Sequence, residues 1–134
     1  MKYDFVIERK PPSLNDLLAL RGAAIFARTS RGKIGAYYKA KRIRQQWFEL
    51  MPRPASDDVV AGFRFVRLTR LMSKRERAYD DDNFAGGCKP IRDALVDAGL
   101  IWGDSSRDAQ FEYRQIYSEL GPALGVMIDD EPIP

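Results

Sequence analysis

Tyr3, Phe5 and Ile7 alternate with Asp4, Val6 and Glu8, the two-residue period of a strand with one buried face, and Pro11-Pro12-Ser13 stops the pattern. Residues 14–35 give mixed signals: Arg21-Gly22 and Arg31-Gly32 read as turns, with a short strand over Ile25–Thr29 between them. Residues 36–51 predict a helix, because Tyr37, Ala40, Ile43, Trp47 and Leu50 recur at helical spacing and Pro52 and Pro54 end it. Residues 59–68 predict a strand in which Val59, Ala61, Phe63 and Phe65 share one side. From Asp82 to Ala98 the chain reads as helical, with Ile91, Ala94, Leu95 and Ala98 as the apolar stripe and Gly99 as the residue past the end. Pro90 must kink this helix or start a new one, and Gly86-Gly87 lets the backbone adjust or come close to a ligand. Residues 111–120 and 123–128 predict two strands, antiparallel neighbours around Gly121-Pro122. The tail over 129–134 is expected to fray. This order implies one α+β domain over residues 1–134, a mixed sheet of about four strands packed against two helices.

Composition narrows the chemistry. The chain of 134 residues suits a single domain, and no apolar run approaches the roughly 18 residues of a membrane span. Charged residues interrupt the N-terminal stretch where a signal peptide needs an apolar core, so a cytoplasmic location is expected. Cys88 is the only cysteine and histidine is absent. An intrachain disulfide, a thiolate metal cluster, a His general base and a Ser-His-Asp triad are thereby excluded, which leaves carboxylates, lysine and water for acid-base work. Net charge is +3, but residues 1–77 carry 18 Lys+Arg against 7 Asp+Glu, whereas residues 78–134 carry 4 against 12. Such asymmetry points to a polyanionic partner, unless the two halves interleave and neutralise each other.

The acidic cluster Asp80-Asp81-Asp82-Asn83 follows Arg67, Arg70, Lys74, Arg75 and Arg77. On an extended backbone Asp80 and Asp82 point to one side and Asp81 to the other, so two hard oxygen ligands converge, enough for a Mg²⁺ ion that keeps several waters. The plain alternative is a solvated turn in which Asp82 or Asn83 caps the next helix. Lys89 lies two helical turns beyond Asp82, on nearly the same face, and is aimed at the carboxylate end; the alternative is an ion pair with Asp93. Asp104, after the helix, can return as a third carboxylate or serve only its turn. Lys39 and Arg42 on the first helix, with the basic side chains from Arg64 to Arg77 (Lys74, Arg75 and Arg77 foremost), are candidates to hold a phosphodiester backbone. Tyr37, Tyr38, Phe84 and Trp102 are candidates to stack on an unpaired base, or to pack in the core.

Asp80-Asp81-Asp82-Asn83, Lys89, Arg92-Asp93-Ala94-Leu95, Ala98-Gly99 and Gly103-Asp104, in this order, resemble the RusA family of Holliday junction resolvases. Pro11-Pro12-Ser13-Leu14-Asn15 is similar to that family's Pro-Pro-Ser-x-Asn segment, and Arg28 to Lys33, leading into a helix with Tyr37-Tyr38, fits its second segment. The resemblance implies a Mg²⁺-dependent endodeoxyribonuclease, with Mn²⁺ able to substitute. It also implies a homodimer, common in bacteriophages and prophages of bacterial hosts, that resolves four-way junction DNA by paired symmetric nicks during recombination and repair. By position, it makes Asp80, Asp82 and Asp104 the metal-binding catalytic carboxylates, Lys89 the catalytic lysine and Asn83 the motif's asparagine, a candidate to bind DNA. Five residues separate Asn83 from Lys89, more than in the best-known member, and Gly103 stands where the family often has a second acid. Two other functions fit the same residues: a DNA-binding module without catalysis, whose acidic cluster only caps a helix, and a nuclease for other branched DNA.

Overall fold

The computed structural model describes residues 2–19, 30–60 and 62–134, and within these the side chains of 30–38 and 40 are left aside. Four strands and three helices follow one another as β1 (Tyr3–Ile7), α1 (Ser30–Glu49), β2 (Arg64–Met72), α2 (Asp81–Gly87), α3 (Lys89–Asp97), β3 (Ala109–Tyr117) and β4 (Ala123–Asp129). A further helical stretch covers residues 14–19. Ser13 starts it as a cap: Ser13 Oγ accepts from the Asp16 N–H at 3.1 Å, and Asp16 Oδ2 accepts from the Ser13 N–H at 2.9 Å. The strand expected over Ile25–Thr29 and the Arg21-Gly22 turn lie outside the described residues. The turn expected at Arg31-Gly32 is instead helix, since α1 begins at Ser30; isolated glycines cost a helix about 1 kcal/mol each without ending it.

The sheet is mixed, in the order β1-β4-β2-β3, with β1 and β2 antiparallel to β4 and β3 parallel to β2. The α+β architecture expected from the element order is therefore present. The hairpin expected between 111–120 and 123–128 is not, because β2 lies between β3 and β4. β2 is apolar at five of its nine positions and almost wholly buried, which suits the interior of a sheet better than its edge. Its extent also differs from the expected 59–68, since Val59 is 81% exposed and pairing starts at Arg64. The β3–β4 connection crosses the end of β2 closely, with the Ser118 N–H donating to Met72 O at 3.0 Å. At Gly121 a Cβ would meet Leu71 O at 2.6 Å, so only glycine lets the connection pass.

One face of the sheet carries the core. Ile7, Val66, Leu68, Leu124, Val126 and Ile128 pack with Trp47 of α1 and with Ile91, Ala94 and Leu95 of α3. The helix expected over 82–98 is divided at Cys88, which caps both α2 and α3, and Pro90 occupies the first turn of α3, where its missing N–H costs nothing. Gly99, at φ +75°, ends α3: Leu100 N–H reaches Leu95 O and Gly99 N–H reaches Val96 O, both at 3.0 Å. The glycine pair at 86–87 serves packing within the chain. A Cβ at Gly87 would stand 2.1 Å from Pro12 O, and one at Gly86 would stand 3.0 Å from Leu14. Gly87→Ala is therefore expected to lower stability by about 1–3 kcal/mol through overpacking, read as a drop in the urea midpoint. An unchanged midpoint would show that the Pro11–Leu14 segment is not seated against α2.

The tail expected to fray instead folds back on the sheet, where Arg67 Nη2 donates to Pro134 O at 3.0 Å. Among the described residues no helix is long and apolar enough to cross a membrane.

Candidate functional site

The arginines of β2 are structural. Arg64, Arg67 and Arg70 are 2%, 7% and 1% exposed. Arg64 pairs with Asp58 and, at 3.1 Å, with Asp130; Arg67 pairs with Glu112 at 2.8 Å and Arg70 with Glu76 at 2.9 Å. They cannot hold DNA, which corrects the reading of Arg64 to Arg77 as one phosphate-binding stretch. Lys39, Arg42, Lys74, Arg75 and Arg77 are exposed and make no ion pair among the described residues. Three of these five sit in the 73–80 connection that delivers the acidic cluster.

Only Asp80 of that cluster is extended, at φ −56° and ψ 149°, and it is the N-cap residue of α2 without a side-chain capping bond. Asp81 and Asp82 belong to the first turn of the helix, where residues step by about 100° and not by the two-residue period of a strand. Asp81 was expected to face away; instead it shares with Asp82 a cleft of about 560 Å³ walled by Tyr79, Phe84, Tyr113 and Gln115. The Asp81 and Asp82 side chains are exposed and carry no ion pair among the described residues. Asn83, expected as a DNA-binding residue or helix cap, is half-buried, and its Oδ1 accepts the Asn15 N–H at 3.0 Å. That bond ties the Pro-Pro-Ser-x-Asn segment to the acidic helix.

Lys89 opens α3, after the break at Cys88, so it does not continue the face of Asp82. Its Nζ instead reaches Asp104 Oδ2 at 2.6 Å, a partner the sequence did not indicate, together with Asp93 Oδ1 at 2.9 Å, the ion pair given as the alternative. The hydrogen bond to Asp104 is the main cause that raises the lysine pKa, and the same bond lowers that of Asp104. Arg44 of α1 extends the network, standing 4.0 Å from Asp93, and also makes a two-point contact to Asp97 at 2.6 and 2.5 Å. Arg92 joins its other end: Nη1 donates to Ala85 O and to the Tyr113 hydroxyl, each at 2.8 Å, and Nε stands 3.9 Å from Asp104. Asp104 itself faces a separate cleft lined by Phe63 and Phe111.

Among the described residues no three Asp, Glu or Cys side chains gather to hold a metal ion. Asp80, Asp82 and Asp104 thus do not form the closed cage read from the sequence, and Asp104 has Lys89 as its partner. By ligand chemistry the acidic turn still fits Mg²⁺, which prefers carboxylate oxygens and is often held by only one or two of them plus substrate phosphate. Of the aromatic candidates, Phe84 is 1% exposed and edge-packed on Tyr113, and Trp102 is 67% exposed beside the Asp104 loop; the side chains of Tyr37 and Tyr38 lie outside the described set. Cys88 is fully buried and its thiol is pushed up to about 12 by desolvation, so it is no nucleophile. Gln115 and Tyr113 escaped the sequence reading, and Arg92 entered it only as part of a motif without a role, since one polar residue per strand or helix turn carries no signal of the partner it will meet. Comparison with known proteins returns no matching family model, no similar curated protein and no similar solved structure.

Proposed function

We propose that this chain is a metal-dependent endodeoxyribonuclease that resolves four-way DNA junctions, working as a homodimer in the manner of the RusA family. The observation that supports the reading most is the meeting of motif segments far apart in sequence. Asn15 binds Asn83, Gly87 admits Pro12, and Lys89 binds Asp104. Motifs that only shared a chain by chance would have no reason to share one end of the fold.

In this reading Asp82, with Asp80 and Asp104 as the resemblance assigns them, would hold the Mg²⁺ ion. A bound Mg²⁺ supplies a water nucleophile and neutralises charge developing on the phosphate. Asp81 lies on the same cleft and offers a further oxygen. Asp104 would hold the ion only with its Lys89 ion pair open, and the ammonium, still beside Asp93, would then be able to meet a phosphate oxygen. Lys74, Arg75, Arg77, Lys39 and Arg42 grip the backbone without reading sequence. A junction with two equivalent strands suits a twofold pair of sites.

The Lys89–Asp104 pair also favours a second reading, a junction-binding module without catalysis. Incubating purified protein with four-way junctions, flaps and linear duplex in Mg²⁺ or Mn²⁺ separates them. Paired symmetric nicks in the four-way junction are the expected result. Binding without any cutting would replace the nuclease with the module, and faster cutting of flaps would replace the substrate.

A further inference from the structure

We infer that Arg70 and Gln115 are positioning residues for the acidic turn, a cross-strand pair that templates the backbone of residues 76–79; the inference rests on the nuclease reading above. The two residues are direct register partners of β2 and β3. Gln115 grips Tyr79 at both peptide groups: its Oε1 accepts the Tyr79 N–H at 2.8 Å and its Nε2 donates to Tyr79 O at 2.7 Å. A side-chain amide that pairs in this way acts as one more strand residue, and it does so one position before Asp80.

Arg70 completes the clasp. Its Nη1 donates to Arg77 O and to Gln115 Oε1, both at 3.0 Å, and its guanidinium lies 3.7 Å from the centre of the Tyr79 ring. Glu76 receives the other guanidinium nitrogen at 2.9 Å through Oε2, and through Oε1 takes the Ser73 N–H at 2.9 Å. The segment that bears Lys74, Arg75 and Arg77 is thus closed on itself and fastened to the sheet at its end. Burying this guanidinium is expensive, the more so as Arg70 Nε has no hydrogen-bond partner. An apolar pair in its place would hold the sheet together at least as well. It could not hold the Arg77 carbonyl and both peptide groups of Tyr79, and these set where the phosphate-gripping cations stand relative to Asp81 and Asp82.

Limited trypsin digestion tests the clasp without any need for nuclease activity, since Arg77 is exposed while its own carbonyl is held. Gln115→Leu is expected to raise the rate of cutting after Arg77 about tenfold under conditions where the variant remains folded by thermal melting. Gln115→Glu, which keeps an acceptor for Tyr79 N–H and loses the donor to Tyr79 O, should fall between. In junction cleavage, Gln115→Leu should lower kcat about a hundredfold while leaving the Kd for DNA within about threefold, because the fault lies in alignment. Unchanged tryptic rates in both variants would overturn the clasp. A faster tryptic cut with unchanged kcat would overturn its role in positioning. If the wild-type protein cuts no DNA, the nuclease reading fails and the tryptic rates still decide the clasp.

Discussion

Asp82→Asn is expected to reduce Mg²⁺-dependent cleavage of a four-way junction about a thousandfold or more, equivalent to about 4 kcal/mol of transition-state stabilisation. Junction affinity should remain within a few-fold of wild type. The side chain is exposed, lines the cleft and carries no ion pair among the described residues, so its loss removes no packing and no salt bridge. What the fold loses is a favourable charge on the first turn of α2, about 0.3–1 kcal/mol, far too little to unfold the chain. Single-turnover cleavage beside a mobility-shift titration separates chemistry from binding. A variant that cuts at full rate would remove Asp82 from the site. Asp81→Asn in the same assay separates the two carboxylates that share the cleft.

Asp58 should dominate stability instead of catalysis. Its carboxylate, 5% exposed, accepts from Arg64, from the Tyr3 hydroxyl at 2.6 Å and from Lys2 at 3.4 Å. Arg64, followed by Tyr3, draws its pKa down from 3.8 to about 2. A lowered carboxylate stabilises the fold at pH values above its unfolded pKa, and that contribution is lost as pH falls through the folded one. The window is therefore pH 4 down to about 2, and the amount is about 2 kcal/mol. Asp58→Ala removes more at neutral pH, about 3 kcal/mol, because it leaves the Arg64 guanidinium buried with only the half-exposed Asp130 as a charged partner. Urea midpoints at pH 7 and pH 2.5 check both statements. The wild-type advantage over the variant should shrink sharply between them, and equal midpoints at pH 7 would show that the Arg64 cluster contributes nothing.

The reading from sequence succeeded where the signal is local. β1 shows its period of two, Pro52 stops α1, Gly99 ends α3 by a backbone conformation other residues avoid, and Pro90 starts a helix at the position proline favours. It failed where a residue's meaning depends on a distant partner. Arg64, Arg67 and Arg70 look like a basic surface in one dimension, and only the carboxylates of Asp58, Glu112 and Glu76 turn them inward. The same buried charges disguised the true extent of β2. The supposed β3–β4 hairpin failed for a related reason: a Gly-Pro turn is compatible with a tight reversal or with a crossing, and the burial demanded by β2 decides between them.

For the site, the sequence by itself determined which groups are present and which chemistry is closed to them. Carboxylates, a lysine and further cations stand in a chain without histidine, because residue type alone sets hydrogen-bonding capacity and charge. Tertiary structure decided the pairings. It put Asp81 beside Asp82 on a helical turn, gave Asp104 to Lys89, and set Asn83 against Asn15. Side-chain direction follows local backbone conformation, and partner choice follows which elements the core brings together. Neither can be read from spacing along the chain until the fold is known.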